Sequence, residues 1–228
     1  MPVVDLAVTS RRELNAALHA LAADTRETQW RVENPMGQHA LAVGLDAAVA
    51  VEIAGHAGYY CAGMNQRATV VIHGNAGVGV AENMISGKVH VKGDASQAAG
   101  ATAHGGLLVI DGDASARCGI SMKGVDIVVK GSIGPMSAFM AQSGALVVLG
   151  DAGDALGDSI YEARLYVRGA VKSLGADCVE KPIGPEHAQQ LRRLLDAAGV
   201  SGVEPSEFRR YGSARGLYTF HVDNAAAY

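Results

Sequence analysis

The sequence predicts an all-β solenoid, a right-handed parallel β-helix of about seven 19-residue coils with a helix at either end. Three observations predict it. Gly55, Gly74, Gly93, Gly112, Gly131, Gly150 and Gly169 stand nineteen residues apart without a slip. Most of them close a short apolar run such as Val-Ile-His-Gly or Val-Val-Lys-Gly. Aromatic residues make up only 5% of the chain while glycine reaches 29 of 228, a composition suited to tightly stacked backbone. A fixed period near twenty marks stacked units, none of which can bury its apolar face alone.

With each repeat glycine as position zero, the columns assign the inside and the outside. Position +15 reads Val70, Val89, Leu108, Ile127, Leu146 and Leu165, and +17 reads Ile72, Val91, Ile110, Val129, Val148 and Val167. Both columns point inward. The flanking +14 and +18 columns are largely polar, with Lys88, Asp126 and Arg164, then His73, Lys92, Asp111, Lys130 and Arg168. That is the alternation of a strand with period two, not the spacing of three and four that a helical or leucine-rich repeat requires. Position +2 is mostly alanine, and +7 is smaller still: Ala62, Ala81, Gly100, Gly119, Ala138, Gly157 and Ala176. Coils stacked about 4.8 Å apart make the glycine ladder roughly 29 Å long. Each glycine is expected to permit a corner that a Cβ would strain.

Outward position +16 is less polar than its neighbours, with Val71, Val109, Val128, Val147 and Tyr166 beside Glu52 and His90. Contiguous apolar surface calls for a cover. Either the chain's own C-terminal segment or a partner subunit supplies it.

Three regions follow: a helical segment over 1–39, the β-helix over 40–180, and a C-terminal helix with a docking tail over 181–228. Ser10 and Glu13 form a capping-box pattern before Leu14, Leu18 and Leu21, which predicts a helix to about Ala23. Pro185 opens a second helical pattern with Leu191, Leu194 and Leu195, stopping near Gly199 and placed to cap the open end of the ladder. The tail from Phe208 to Phe220 gathers aromatic and arginine residues, including Arg209, Arg210, Tyr211 and Arg215. These types are favoured at interface cores. Docking to a partner and folding back on the solenoid are both open readings.

Net charge of −4 with mixed signs gives no basic field for nucleic acid or an anionic membrane. No apolar run is long enough to span a bilayer, and Met1 to Ser10 has no secretory pattern, so a cytoplasmic protein is expected.

Candidate chemistry dissolves into the columns. Gly74 to Gly79 has neither dinucleotide spacing nor a Walker lysine. Cys61 and Cys118 share the +6 column but lie three coils apart, roughly 14 Å, too far for a disulfide. With Cys178 they read as buried, inert thiols rather than a metal or cluster site. The +1 column, with Asn75, Asp94, Asp113, Ser132 and Asp151, suits corner chemistry better than a calcium stack. His73 and His90 read as solvated, and Ser121, Ser137 and Ser159 lack a nucleophile context. No catalytic, cofactor or metal residue is expected in this chain. An autonomous β-helix enzyme remains as the rival reading, although nineteen is not a multiple of the six-residue acyltransferase repeat.

Gly55-His-Ala-Gly-Tyr-Tyr-Cys-Ala-Gly-Met-Asn65, Gly105 to Gly112 and Gly150 to Gly157 resemble the glycine-repeat (GXGXG) β-helix domain that ends the large subunit of glutamate synthase. The glycine-repeat chain of formylmethanofuran dehydrogenase is a more distant likeness. The regions Leu14 to Trp30 and Phe208 to Arg215 resemble the free-standing version, the β-helix chain of N-methylglutamate synthase and its rhizobial glutamate-synthase-like homologues. The resemblance implies a hetero-oligomer in which a class II amidotransferase-like chain and a synthase chain carrying FMN and an iron–sulfur cluster do the chemistry. The β-helix chain connects them. It implies N-methylglutamate formation from methylamine and glutamate, with a glutamate-synthase-like reaction as the alternative. Met1 is followed by Pro2 rather than a nucleophilic cysteine, so no catalytic residue of the family is carried over. Val109, Val128, Val147, Tyr166, Arg209, Arg210, Tyr211 and Arg215 are the candidate partner interface.

Overall fold

A computed structural model describes residues 1–22, 25, 26 and 28–215 of the chain. Its strands are β1 (Val3–Asp5), β2 (Gln29–Glu33), β3 (Ala50–Ile53), β4 (Thr69–Ile72), β5 (Lys88–Val91), β6 (Leu107–Ile110), β7 (Lys123–Val129), β8 (Ser143–Val148), β9 (Arg164–Val167), β10 (Cys178–Lys181) and β11 (Arg209–Ser213). Helix α1 spans Arg11–His19 and α2 spans Pro185–Ala197. All the strands join one sheet, in chain order to β9 and then β11 and β10. From β3 to β9 the strands pair in parallel with residues nineteen places on, except at a bulge where Lys123 stands opposite Ser143, and this aligns Val51, Val70, Val89, Leu108, Ile127, Leu146 and Leu165. This line and the one from Ile53 to Val167 form the buried interior, as the alternation predicts.

A second parallel ladder runs through the +2 column, from Ala57 through Ala76, Ala95, Ala114, Ile133 and Ala152 to Val171. The third side of each coil is not extended at all. Its +5, +7 and +9 residues take left-handed backbone, as at Tyr60, Ala62 and Met64 or Arg117, Gly119 and Ser121. Their N–H groups point alternately forwards and back: Tyr60 donates to Val78 of the next coil, Ala62 to Leu41 of the previous one and Met64 to Glu82 of the next, all at 2.8–2.9 Å. The small +7 column thereby acquires its cause. Positive φ disfavours a large Cβ substituent, and these positions face the core; a Cβ on Gly100 would lie 2.7 Å from Ile127 Cδ1.

The corner glycines have a different cause from the one the sequence suggests. Apart from Gly55, none of the seven has positive φ. They are glycines because the previous coil fills the space: a Cβ on Gly112 would sit 3.0 Å from both the carbonyl carbon and the oxygen of Gly93, and against the Asp94 carboxylate. From Gly93 onwards each corner N–H donates to the preceding corner carbonyl, Gly112 to Gly93 and Gly131 to Gly112 at 3.0 Å.

Both ends are closed. Asn15 on α1 donates to Ala40 O at 2.7 Å and accepts from Ala42 N at 3.0 Å, so its amide takes the place of the backbone of a preceding coil. Leu14 and Leu18 enter the core beside it. The Ser10–Glu13 capping box forms, but α1 ends at His19 rather than near Ala23, which lies outside the described residues. Leu21 reaches the core from beyond the helix C-cap. The parallel ladder also extends ahead of residue 40, through β2 to β1. At the other end β11 pairs antiparallel with β9 and β10. It is this strand, not α2, that terminates the ladder; α2 lies on the outer face of the sheet, against the side chains of β6 to β9.

Gly112→Ala is expected to cost about 2–4 kcal/mol in urea denaturation, as overpacking against backbone that cannot yield. Gly202→Ala, at φ 71 with open space around it, should cost only about 1–2 kcal/mol. Equal losses would remove the steric account of the corners. Asn15→Ala should cost about 1–3 kcal/mol through the two unpaired backbone groups it leaves, and hydrogen exchange should quicken first at Ala42.

Candidate functional site

The apolar +16 stripe is divided by its own side chains. Val109, Val128, Val147 and Tyr166 are fully buried, packed with Leu191, Leu194 and Leu195 of α2 and with Phe208. Helix α2 begins at Pro185, with His187 Nδ1 accepting the Gly184 N–H at 3.0 Å, and its three leucines at helical spacing make one apolar face. Gln190 Oε1 accepts from Tyr166 Oη and Arg164 Nη1, each at 2.9 Å. Lys88 Nζ donates to Ala197 O at 3.0 Å, a cation at the helix C-terminus where the dipole favours one. Burial raises the Tyr166 pKa, and it raises that of Asp126 against the opposing charges of Arg193 and Arg164. The chain itself therefore occupies the part of the stripe expected to meet a partner.

The rest of the stripe, Glu52, Val71 and His90, is half-buried and lies beyond the reach of α2. It carries a polar network. Glu52 pairs with His73, and Asp111 accepts from His90 Nε2 at 2.9 Å and Lys130 Nζ at 2.7 Å, with Lys92 at 3.5 Å. Burial, with the charges of Lys92 and Lys130, lowers the His90 pKa against the hydrogen bond and charge of Asp111. Burial pushes Asp111 up, but hydrogen bonds from Lys130 and His90 with their charges leave it below the usual carboxylate value. The lowered Asp111 pKa contributes stability present above pH 3.8 and lost as pH falls through its folded value, while charging His90 below pH 6.5 costs stability.

The tail residues are likewise committed within the chain. Tyr211 is buried in the main core opposite Leu165. Arg209 Nη2 donates to Gly169 O at 3.0 Å with its guanidinium 6.0 Å from the Tyr211 ring centroid, and Arg210 Nε donates to Pro182 O at 2.9 Å. Arg215 pairs with Asp177. The tail folds back as β11; its expected continuation from 216 to Phe220 lies outside the described residues. Gln190, Asp177 and Lys88 hold these arrangements together, and no pattern in the sequence marks them.

The remaining candidates serve the stacking. At Gly74–Gly79 the N–H groups that would cradle a phosphate are already used: Asn75 donates to His56 Nδ1, Ala76 to Asp94 O, Gly77 to Ala57 O and Gly79 to Gln97 O. The +1 side chains bond to the next coil rather than locally: Asn75 Oδ1, Asp94 Oδ1, Asp113 Oδ1 and Ser132 Oγ accept from Asp94, Asp113, Ser132 and Asp151 N–H groups at 2.7–3.0 Å. Ser137 donates to Gly134 O and Ser159 to Asp158. Among the described residues no group of three His, Cys, Asp or Glu is disposed to hold a metal, and no helix is long and apolar enough to cross a membrane.

No family model matches the chain. Protein GlxC of Rhizobium meliloti (strain 1021) is 64% identical to it over 228 residues, which is the whole of both chains.

Burial pushes the Cys61 and Cys118 thiols up to about 12, and burial followed by the Asp158 charge pushes Cys178 to about 11. All three are free and buried. A thiol-specific disulfide reagent at pH 8 should therefore leave the native chain unmodified and titrate three thiols in denaturant. Unfolded thiols ionise near 9.0 and native ones do not, so this contribution to stability, complete below pH 9, should decline as pH rises towards 12.

Proposed function

This chain belongs to the family of protein GlxC, and from that membership we propose that it is the non-catalytic scaffold subunit of a glutamate-synthase-type complex. It holds a class II amidotransferase-like chain at a set distance from a synthase chain that carries FMN and an iron–sulfur cluster. The complex makes N-methylglutamate, releasing ammonia from methylamine and glutamate.

The observation that carries this reading is the nineteen-residue register from β3 to β9, which shifts only at the bulge between Lys123 and Asp126. A ladder bonded coil to coil on three sides has no soft joint, so two proteins seated on it keep a separation of the order of its roughly 29 Å length. Partners contact the surfaces left open by α2: the polar face of β2 to β5 and the left-handed flank, where Met64 and Met140 are exposed, with Tyr59, Ile85 and Tyr161 exposed at its borders. A glutamate-synthase-like amidotransferase complex is the second reading, favoured by the full-length likeness to a Rhizobium meliloti protein.

Co-expression with an amidotransferase-like and an FMN/iron–sulfur synthase chain from the same genome tests the assembly. The three should elute together on size exclusion, and omission of this chain should separate the other two. If it elutes alone, the scaffold reading fails. Product analysis with methylamine or ammonium as the amine distinguishes the two reactions, and turnover by the isolated chain would favour an autonomous enzyme.

A further inference from the structure

Two successive coils of the left-handed flank each set a glycine beside a large side chain, in the +5 and +8 positions. The Tyr60 ring lies across Gly63, where a Cβ would meet its Cε1 at 2.5 Å. In the next coil the Glu82 carboxylate lies across Gly79, where a Cβ would stand 2.6 Å from Oε2 and 3.6 Å from Tyr60 Cδ2. Carboxylate and ring therefore border one point on the flank.

The two differ in how they are held. Asn83 Nδ2 donates to Tyr60 Oη at 3.2 Å, and Thr102 Oγ1 donates to Asn83 Oδ1 at 2.6 Å, so the ring is fixed. The Glu82 carboxylate forms no ion pair and accepts no hydrogen bond among the described residues. Burial raises its pKa, and no charge of this chain opposes the shift. Both side chains are half-buried, which leaves them partly desolvated yet open to solvent. An unpaired, partly desolvated anion is destabilising, and a cation brought to it relieves that. Residues 23, 24, 27 and 216–228, which lie outside the described ones, include neither arginine nor lysine. A cation for Glu82 therefore comes from another molecule. A planar guanidinium suits the place: its face stacks on the ring while its N–H fork reaches the carboxylate, whereas a compact ammonium has no plane to stack. Met64 and Tyr59, exposed in the coil of Tyr60, add apolar surface around the point of contact.

We propose that a partner protein seats an arginine side chain against Glu82 and Tyr60. The partner rests on the scaffold reading; the binding chemistry does not.

Titration of the chain alone with Nα-acetyl-arginine amide, followed by the NMR signals of the Glu82 carboxyl carbon and the Tyr60 ring, tests the chemistry. The uncharged citrulline derivative is the control. Saturable shifts at both residues are expected, at millimolar affinity for so small a probe. Glu82→Gln should weaken binding at least about tenfold, and Tyr60→Leu about two- to fivefold. Absence of saturable shifts overturns the proposal, as does equal binding of the citrulline derivative or of Nα-acetyl-lysine amide, or unchanged affinity in folded Glu82→Gln. Should the variants not fold, the citrulline comparison on the unsubstituted chain decides. In the co-expressed three-chain complex, Glu82→Arg should release a chain from co-elution, and retention of both partners overturns the docking. Failure of the unsubstituted complex to form counts against the scaffold reading, while the arginine titration still decides the site. Dimerisation of the isolated chain that Glu82→Arg abolishes would assign the arginine to a second copy and overturn the partner.

Discussion

At each corner of this solenoid the backbone of one coil lies so close to the next that there is no room for a single carbon atom between them. Six corner glycines, Gly74 to Gly169, meet the preceding coil's backbone at the position of their absent Cβ. The close approach lets a corner N–H reach the carbonyl below it, and it brings the following N–H within range of a short side chain. Asn75, Asp94, Asp113, Ser132 and Asp151 are acceptors of that length, each bonded to the next coil. These corner hydrogen bonds lie at the exposed edge of the coils, where each contributes about 0.5–1.5 kcal/mol. The nineteen-residue spacing follows, because a slip of one residue would replace both the glycine and its acceptor at every corner at once.

The left-handed flank depends on the same closeness. A left-handed alanine or methionine costs about 1–2 kcal/mol in isolation, and this backbone carries such residues in every coil from Tyr60 to Ser159. The cost is offset because alternating N–H directions bond each residue to a neighbour above or below. At the last coils, where regular backbone runs out, side chains take over: Ala155 donates to Ser173 Oγ at 2.9 Å. Asn15 does the same at the first coil. The repeat thus persists past its own last copy through side chains that imitate backbone.

What could be read from the sequence reflects how each feature repeats. The inward +15 and +17 columns are legible because alternation recurs with every coil, and the small +7 column is legible as small. Its left-handed conformation is not, since Ala62 and Ala138 carry no glycine signature for it. Strands β1 and β2 escape notice because they pair at offsets of their own: Val3 opposite Arg31, and Trp30 opposite Val51. Strand β11 escapes because Arg-Arg-Tyr-Gly-Ser presents one core side chain, Tyr211, and looks like an exposed tail. The apolar +16 stripe is visible in the sequence, but its occupant is not, because Leu191, Leu194 and Leu195 read equally well as an end cap.

The terminations also determine which surfaces remain for function. A solenoid with open ends would stack on its own copies, since each end offers unpaired backbone and apolar core. Here α1 and Asn15 close one end and the reversed strand β11 closes the other, while the outermost strands β1 and β10 are only three and four residues long. Growth along the axis is therefore blocked at both ends. Helix α2 removes β6 to β9 from the outer face, and the cover stops where Glu52, His73, His90 and Lys92 turn that face polar. What stays open is lateral: the flanks, at fixed heights on one axis. A rod capped at both ends and partly covered along one side fits the proposed scaffold, which would hold different neighbours at different places rather than assemble with itself.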